Sequence, residues 1–193
     1  MKKSMPWIRC AGFLVGLAVI LGICDFCFAP SGYVRFILHE VNRKDTQYDT
    51  IILGASHARS AINPEYLDEE LGTNTLNLAI PGETVKDAYY LLKDACESND
   101  VKTVIMDVDY QYWMDEQPQG YFTEPFICQN ITNLKVKTEY LLDNWDTIDL
   151  RNVLVRRLSW DCTWSSVKQN VSTKMTEAYR EYSIEAAGVD GKV

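Results

Sequence analysis

Three short apolar segments constrain the fold of this chain more than any other feature. They read "YDTIILG" (48–54), "TNTLNLAIPG" (73–82) and "VKTVIMDVDY" (101–110), and their β-branched residues and turn-like ends are typical of strands. Helical patterns separate them, with short links. This alternation predicts right-handed crossovers and an α/β fold whose parallel sheet is covered by helices. The near-continuous apolarity of "TIIL" and "TVIM" further predicts burial on both faces.

The two helices between these strands have recognisable capping residues. In "NPEYLDEELG" (63–72) an asparagine precedes a proline in the first helical position, and a glycine follows the last turn. Thr84, with Asp87 three residues later, resembles a capping box and predicts a helix over 85–98. Later helices are predicted at Leu134–Asn144, Leu150–Leu158 and Val167–Ser183.

The first thirty residues form a separate apolar segment. Three basic residues precede a stretch from Cys10 to Cys24 that extends to Phe28, close to the ~20 residues of a membrane-spanning helix. A cleaved signal peptide is the alternative. Pro30 directly after Ala29 favours an uncleaved anchor, because proline is poorly tolerated just past a cleavage site. The basic residues before the span predict a single-pass anchor with the domain on the extracytoplasmic side.

We therefore expect three parts in this chain. A membrane anchor covers 1–30, a charged juxtamembrane connector covers 31–47, and an α/β domain covers 48–193. Three strands are few for such a sheet, since the outermost one would leave a row of backbone groups unpaired. The sequence therefore predicts a domain that is truncated at its carboxyl end.

Composition excludes several classes of function. The formal net charge is -8 at pH 7, and no basic stripe is present that could neutralise phosphates, so nucleic acid is not an expected partner. "GASHAR" lacks the glycine spacing of nucleotide-binding loops, and no cofactor is expected. With only two histidines and no clustered ligands, neither is a metal. Three of the six cysteines lie outside the anchor, which leaves one disulfide plus a free thiol open.

The polar residues that follow the strands indicate where a site would lie. In an open parallel sheet, ligands bind beyond the carboxyl ends of the strands. Ser56 lies two residues past the first strand, and Gly82 lies in the turn after the second. Their backbone N–H groups could converge on one oxygen and form an oxyanion hole, with Gly82 allowing a close approach because it has no Cβ. The alternative for Ser56 is a serine that caps a turn.

"ILGASHAR" followed by "NLAIPGET" resembles the first two blocks of the SGNH/GDSL hydrolase superfamily. More closely, these residues resemble the membrane-anchored branch that acts on bacterial cell-surface polymers, including teichoic-acid D-alanylation and exopolysaccharide O-acetylation proteins. The resemblance covers roughly 48–113 and the anchor. It implies a flavodoxin-like three-layer fold, with Ser56 as the nucleophile and the Ser56 and Gly82 backbones as oxyanion donors.

The same resemblance implies what the chain acts on. It indicates an acyl esterase or acyltransferase whose partner is a cell-surface polysaccharide or a teichoic-acid-like polymer, with a membrane-bound O-acyltransferase as a further partner. Two departures from the family pattern weaken this interpretation. The asparagine that supplies a third oxyanion donor is replaced by the run Asp109-Tyr110-Gln111, and no histidine follows position 57.

The second departure bears directly on catalysis. The family's base lies in an Asp-x-x-His motif near the carboxyl end, and a serine hydroxyl is a poor nucleophile without a base. This chain is therefore expected to be catalytically incomplete, with the base in sequence beyond it. The alternative function is a non-catalytic membrane-anchored scaffold, or pseudoenzyme, that assists a membrane acyltransferase.

Three further residues are candidates for the substrate pocket. His57 is expected to line the pocket or to bond to backbone rather than act as the base, because adjacent side chains diverge. Arg59 could hold an anionic group or form a salt bridge beside a helix. Asp109, like Asp107, could orient a polar partner or bond to loop backbone. The aromatic residues between 110 and 122 could stack on sugars or pack as a lid over the sheet.

Overall fold

The computed structural model describes residues 6–29, 33–108, 123–146, 148 and 162–175. The strands are β1 (Thr50–Leu53), β2 (Thr75–Asn77) and β3 (Thr103–Met106). The helices are α1 (Pro6–Phe28), α2 (Tyr33–Glu40), α3 (Ser56–Ala61), α4 (Pro64–Leu71), α5 (Val85–Ser98), α6 (Thr123–Asn130), α7 (Leu134–Asp143) and α8 (Trp164–Met175). The helix expected at 150–158 lies outside the described residues.

The three strands form one parallel sheet in the order β2–β1–β3. Thr50 of β1 pairs with Thr75 of β2 on one side and with Thr103 of β3 on the other. α4 lies between β1 and β2 in the chain, and α5 lies between β2 and β3. The mixed helix–sheet architecture with a parallel sheet, predicted from the alternation of strand and helix patterns, is confirmed.

Successive side chains of β1 enter two different apolar clusters, as the alternation of a strand requires. Ile51 and Leu53 belong to the large cluster, which also takes buried side chains from α2, α5, α6 and α7. Ile52 belongs to the small cluster, with Ala58 of α3 and Ala79 beyond β2. All four residues of β1 are buried, as predicted for "TIIL".

The strand β3 does not share this burial. Val104 is 42% exposed and Met106 is 40% exposed, so the prediction that "TVIM" is buried on both faces is wrong. β3 is an edge strand of the described sheet and pairs with β1 on one side. An apolar run therefore identified the strand correctly, but not how far its side chains are covered.

The helix caps agree with the capping residues in the sequence. The Asn63 side chain accepts a hydrogen bond from the Glu65 N–H at 2.9 Å, and Gly72 ends α4 with a φ of 67°. Thr84 and Asp87 form a capping box at the start of α5. Both helices begin where their capping side chains predict, and α4 ends at its predicted glycine.

The segment expected as a connector, 31–47, instead contains α2, whose apolar side chains lie in the large cluster. Phe36, Ile37 and Leu38 are all buried there. The end of α2 is fixed to α5, since the Asn42 amide donates to the Asp94 carboxylate at 2.8 Å. The charged residues of this segment led to the prediction of a connector. The burial of α2 could not be predicted locally, because it depends on contacts with segments distant in sequence.

The helix α1 is long and apolar enough to cross a membrane, by length and composition alone. Its membrane-length window is not buried inside the protein, and Trp7, Phe13 and Ile20 are exposed. In this respect α1 differs from the apolar core helix of a soluble protein, whose side chains would be covered.

All six cysteines are free thiols, so the disulfide that the sequence left open is not formed. Cys128 is buried in the large cluster, and burial raises the pKa of its thiol to about 11. A thiol with a raised pKa carries little thiolate and is unreactive. Cys128 therefore acts as a small apolar side chain.

Candidate functional site

The segments that follow the three strands leave the sheet side by side. The Ile80 N–H donates to the Gly54 carbonyl at 3.1 Å, and the Asp107 N–H donates to the Leu53 carbonyl at 2.9 Å. Hydrogen bonding between neighbouring strands thus continues past their carboxyl ends. Ser56 lies two residues beyond Gly54, so it leaves the sheet at this shared edge.

Ser56 is the first residue of α3, and its side chain is exposed. The N-cap of α3 is Ala55, which is buried and provides no side-chain hydrogen bond. Ser56 therefore does not cap this helix, contrary to the capping alternative from the sequence. In the part of the chain that the structure describes, no side chain forms a hydrogen bond with the Ser56 hydroxyl.

Gly54 allows α3 to lie close against the sheet. Its φ is 147°, a backbone conformation that residues with a side chain rarely adopt. A Cβ at this position would lie 2.8 Å from the Ala58 Cβ and 2.9 Å from the Asp107 Cβ. The glycine therefore permits the close approach between the helix that carries Ser56 and the end of β3.

Gly82 lies in a tight turn after β2. The Glu83 N–H donates to the Ile80 carbonyl at 2.9 Å, which closes a four-residue turn with Pro81 at its second position. Gly82, at the third position, has a φ of 75° and is exposed. Proline followed by a glycine with positive φ is the pattern of a type II turn. A residue with a Cβ would be strained at Gly82.

Glu83, which was not among the residues predicted from the sequence, is a buried carboxyl directly behind this turn. Its Oε2 accepts a hydrogen bond from the Ile80 N–H at 3.0 Å, while its Oε1 meets no donor among the described residues. Burial raises the pKa of Glu83 well above its usual range, and the nearby Asp87 carboxylate adds to the rise. The Ile80 and Gly54 backbone groups oppose it. The only sequence signal is an acid placed between a Pro-Gly turn and a capping threonine.

Asn77 is a second residue that sequence reasoning missed. Its buried amide nitrogen donates to the Ala58 carbonyl at 3.1 Å and to the Ile62 carbonyl at 3.2 Å. Its oxygen accepts from the Ala79 N–H at 3.0 Å. Asn77 thus ties α3 to β2 and holds the helix on which Ser56 lies. A polar amide inside an apolar strand pattern is the signal that could have indicated this role.

The remaining candidate residues lie on α3, directly after β3, or outside the described residues. His57 is the second residue of α3 and is exposed, and Arg59, in its last turn, is half-buried. Asp107 is half-buried directly after β3. Asp109 and the aromatic residues between 110 and 122 lie outside the described residues. The structure therefore places Ser56, His57 and Arg59 on one short helix and Gly82 on the neighbouring turn.

A cavity of about 540 Å³ lies between α2, α4 and β2. None of Ser56, His57, Arg59 and Gly82 lines it. Glu40, Glu65, Asp68 and Glu69 are among the residues that line it. The Asp68 side chain is hydrogen-bonded to β2, since its Oδ1 accepts from the Thr75 N–H at 2.9 Å. This cavity is therefore distinct from the edge that carries the serine.

Within the described ranges, no group of three or more His, Cys, Asp or Glu side chains is arranged to hold a metal ion. Comparison of the chain with protein-family models, with curated proteins and with solved structures found no match. What the chain does therefore has to be inferred from its own residues and geometry.

Proposed function

We propose that this chain is part of a membrane-anchored SGNH-type acyl esterase or acyltransferase that acts on a cell-surface glycan or a teichoic-acid-like polymer. Ser56 is the nucleophile, and the backbone N–H groups of Ser56 and Gly82 stabilise the oxyanion. His57 and Arg59 line the substrate pocket, together with Asp109. The single observation that supports this most is the exposed Ser56 hydroxyl at the start of a helix, directly beyond the carboxyl end of the central strand.

The order of the strands supports the same position. β2–β1–β3 is the beginning of the flavodoxin-like order, in which the strand order reverses between the first and third strands and ligands bind beyond that reversal. Ser56 follows β1 and Asp107 follows β3, so these residues flank the reversal. We therefore extend the observed sheet to a flavodoxin-like three-layer fold as part of the proposal.

The chemistry follows from these positions. The Ser56 Oγ attacks the acyl carbonyl while a general base takes its proton, and a tetrahedral oxyanion forms. Backbone N–H donors that face this oxygen lower the barrier, because they stabilise charge that develops only in the transition state. Collapse of the intermediate expels the alcohol and leaves an acyl-serine. Water or a polymer hydroxyl then accepts the acyl group, which distinguishes hydrolysis from transfer.

The anchor places this chemistry at a membrane. α1 has the length and composition of a spanning helix, and the basic residues Lys2, Lys3 and Arg9 lie before its apolar stretch, which begins at Cys10. A single-pass topology with the domain on the extracytoplasmic side follows from that asymmetry. Tethered in this way, the domain would meet polymers at the cell surface rather than soluble metabolites.

A second function is favoured by one specific observation. The Ser56 hydroxyl bonds to no side chain in the described segments, so no base in contact with it is visible there. A membrane-anchored scaffold that holds an acyltransferase partner needs no activated serine. Under that alternative, Ser56 is a surface residue and the exposed face of β3 is available for contacts.

A fluorophosphonate probe separates these two functions. The full-length protein, labelled in its native membranes, is expected to react with the probe, because activated serines attack phosphonates as they attack esters. Ser56→Ala should abolish the labelling. Ser60→Ala is the matched control, since Ser60 is exposed on the same helix, and it should leave the labelling unchanged.

Labelling that survives Ser56→Ala would remove Ser56 as the nucleophile. Absence of labelling in the unaltered protein, together with co-purification of a membrane acyltransferase, would replace the enzyme by the scaffold.

A further inference from the structure

The helix α8 is attached to the carboxyl end of the apolar helix α1. The Lys174 ammonium donates to the Phe26 carbonyl at 2.7 Å and to the Ala29 carbonyl. The Asn170 amide donates to the Cys27 carbonyl at 3.4 Å. The Phe26 and Cys27 carbonyls lie in the last turn of α1, where a helix runs out of its own N–H donors, and the Ala29 carbonyl directly follows it. Side chains of α8 therefore supply donors to carbonyls at the end of α1.

The sequence explains why a lysine is needed there. The fourth residue after Phe26 is a proline, which has no N–H to donate to the Phe26 carbonyl. Lys174 supplies that donor, and its ammonium also lies 5.4 Å from the centre of the Phe26 ring. A cation at the carboxyl end of a helix is further stabilised by the helix dipole. The contact between α8 and α1 is thus made by complementary chemistry and not by apolar packing alone.

The length of α1 determines the depth of this contact in a membrane. α1 has 23 residues. At about 1.5 Å per residue it extends about 34 Å, close to the ~30 Å thickness of the hydrocarbon core. If α1 spans the bilayer, its last turn lies at the boundary between acyl chains and headgroups. Asn170 and Lys174 contact that turn, so α8 lies at the same level.

The outward side of α8 has the composition of a membrane-surface helix. Asn170 is buried, while Trp164 is 82% exposed and Lys168 and Met175 are also exposed. Trp164, Lys168 and Met175 are spaced so that they fall within about 40° of arc on one side of the helix. Trp164 is six residues from Asn170, which is about 9 Å along the helix axis. Tryptophan and lysine are the side chains that favour the membrane interface.

We infer that α8 is a membrane-surface helix whose stripe of Trp164, Lys168 and Met175 contacts phospholipid beside the carboxyl end of α1. This inference rests on the membrane-spanning α1 of the proposed function but not on the chemistry of Ser56. The contact gives the domain a second point of attachment to the bilayer. Together, the two attachments fix the orientation of the domain relative to the membrane.

Tryptophan quenching in lipid nanodiscs tests the contact. The full chain is reconstituted in phosphatidylcholine with or without brominated acyl chains, and single substitutions identify each emission. Trp164→Phe is compared with Trp145→Phe, the matched control, since Trp145 is 64% exposed just beyond α7. Trp7→Phe reports on the insertion of α1 itself, where Trp7 is 62% exposed. All three are conservative changes at exposed sites, which the fold should tolerate.

The emission of Trp164 is the difference between the unaltered protein and Trp164→Phe. It is expected to be blue-shifted and mostly quenched by brominated lipid, and the same is expected for the emission of Trp7. The emission lost in Trp145→Phe should be insensitive to brominated lipid. If Trp7 is quenched and Trp164 is reached only by aqueous iodide, α1 spans but α8 does not touch lipid, and the inference is overturned. The same holds if Trp164 is shielded from both quenchers, as a second copy or a protein partner would cause. Failure of Trp7 to be quenched overturns the anchor together with this inference, and leaves the Ser56 labelling experiment to be judged separately.

Discussion

The two faces of the sheet are covered to very different extents. On one face, the large cluster buries side chains from β1 and from α2, α5, α6 and α7. On the other face, the small cluster buries Ile52, Ala58 and Ala79, with Ile62, Leu67 and Ile105 partly covered around them. α3, which carries Ser56, lies on the side of the small cluster. Burial of apolar area is the dominant stabilising term in folding. The large cluster therefore accounts for most of the stability, while the small cluster supports the candidate site.

Polar contacts replace apolar packing on the side of the small cluster. Asn77 holds α3 through two backbone carbonyls, and Gly54 lets the helix approach the sheet where a side chain would not fit. Each of these hydrogen bonds contributes only about 1 kcal/mol net to stability. They fix the position of α3 without burying much apolar area. Substitutions in the large cluster are therefore expected to lower the stability of the whole fold, whereas substitutions beside the small cluster are expected to shift α3.

The largest effect is expected from Leu91→Ala, in the large cluster. Leu91 is fully buried on α5, and its truncation leaves a cavity that costs about 2–5 kcal/mol of unfolding free energy. The urea midpoint of the protein in detergent, followed by circular dichroism, measures the loss. Leu142→Ala on α7 is the control, because Leu142 is exposed and should change stability by less than about 0.5 kcal/mol. Equal effects of the two substitutions would contradict the assignment of stability to the large cluster.

A smaller loss, but a local one, is expected from Gly54→Ala on the other face. The positive φ and the two close Cβ contacts together cost about 2–4 kcal/mol, and α3 must shift to relieve the contacts. Gly72→Ala separates the two causes, since Gly72 has a φ of 67° but nothing within 4 Å of an added Cβ. It should cost about 1–2 kcal/mol. Probe labelling of Ser56 is expected to fall in Gly54→Ala and not in Gly72→Ala.

The smallest effect is expected from Glu83→Gln at mildly acidic pH. Glu83 closes the turn beyond the carboxyl end of β2. Burial raises the pKa of Glu83 in the folded protein, so the folded state holds a proton that the unfolded state releases. Its contribution to stability is therefore complete below the ordinary glutamate pKa and is lost as the pH rises through the raised value. Asp87, whose pKa is also raised by burial, contributes in the same direction.

Glutamine keeps the shape of the protonated acid, and its oxygen can still accept from the Ile80 N–H. The variant should therefore gain stability relative to the unaltered protein as the pH rises, by at most about 1.4 kcal/mol per pH unit for one proton. Melting temperatures between pH 4 and 8 measure the difference. Glu70→Gln, an exposed change on α4, controls for net charge. A constant difference across this range would show that Glu83 does not hold the proton.

Local chemistry made much of this fold predictable. The caps of α4 and α5 are formed by neighbouring residues, so Asn63 and the Thr84–Asp87 pair indicated both helices from the sequence alone. The parallel sheet followed from the alternation of patterns. α3 was not predicted, because it is short and begins after Ala55, which has no capping side chain.

The rest depended on contacts that are distant in sequence. The helix α2 was expected as a connector, since only packing against α6 and the remainder of the large cluster reveals its buried side. The exposure of β3 could not be predicted either, because "TVIM" has the same apolar pattern as "TIIL". At the candidate site, Ser56 and Gly82 were predicted as candidates from their positions after strands. Glu83 and Asn77 were not, because their roles arise only when two strand ends meet.

The hydrogen bond between Lys174 and the Phe26 carbonyl joins residues 148 positions apart in the chain. At a translation rate of about 5–20 residues per second, roughly 7–30 s separate the synthesis of its two partners. During that interval the end of α1 must find its hydrogen-bond partners elsewhere, so α1 has to form without help from α8. The connection can therefore form only after the segments that build the sheet have been synthesised.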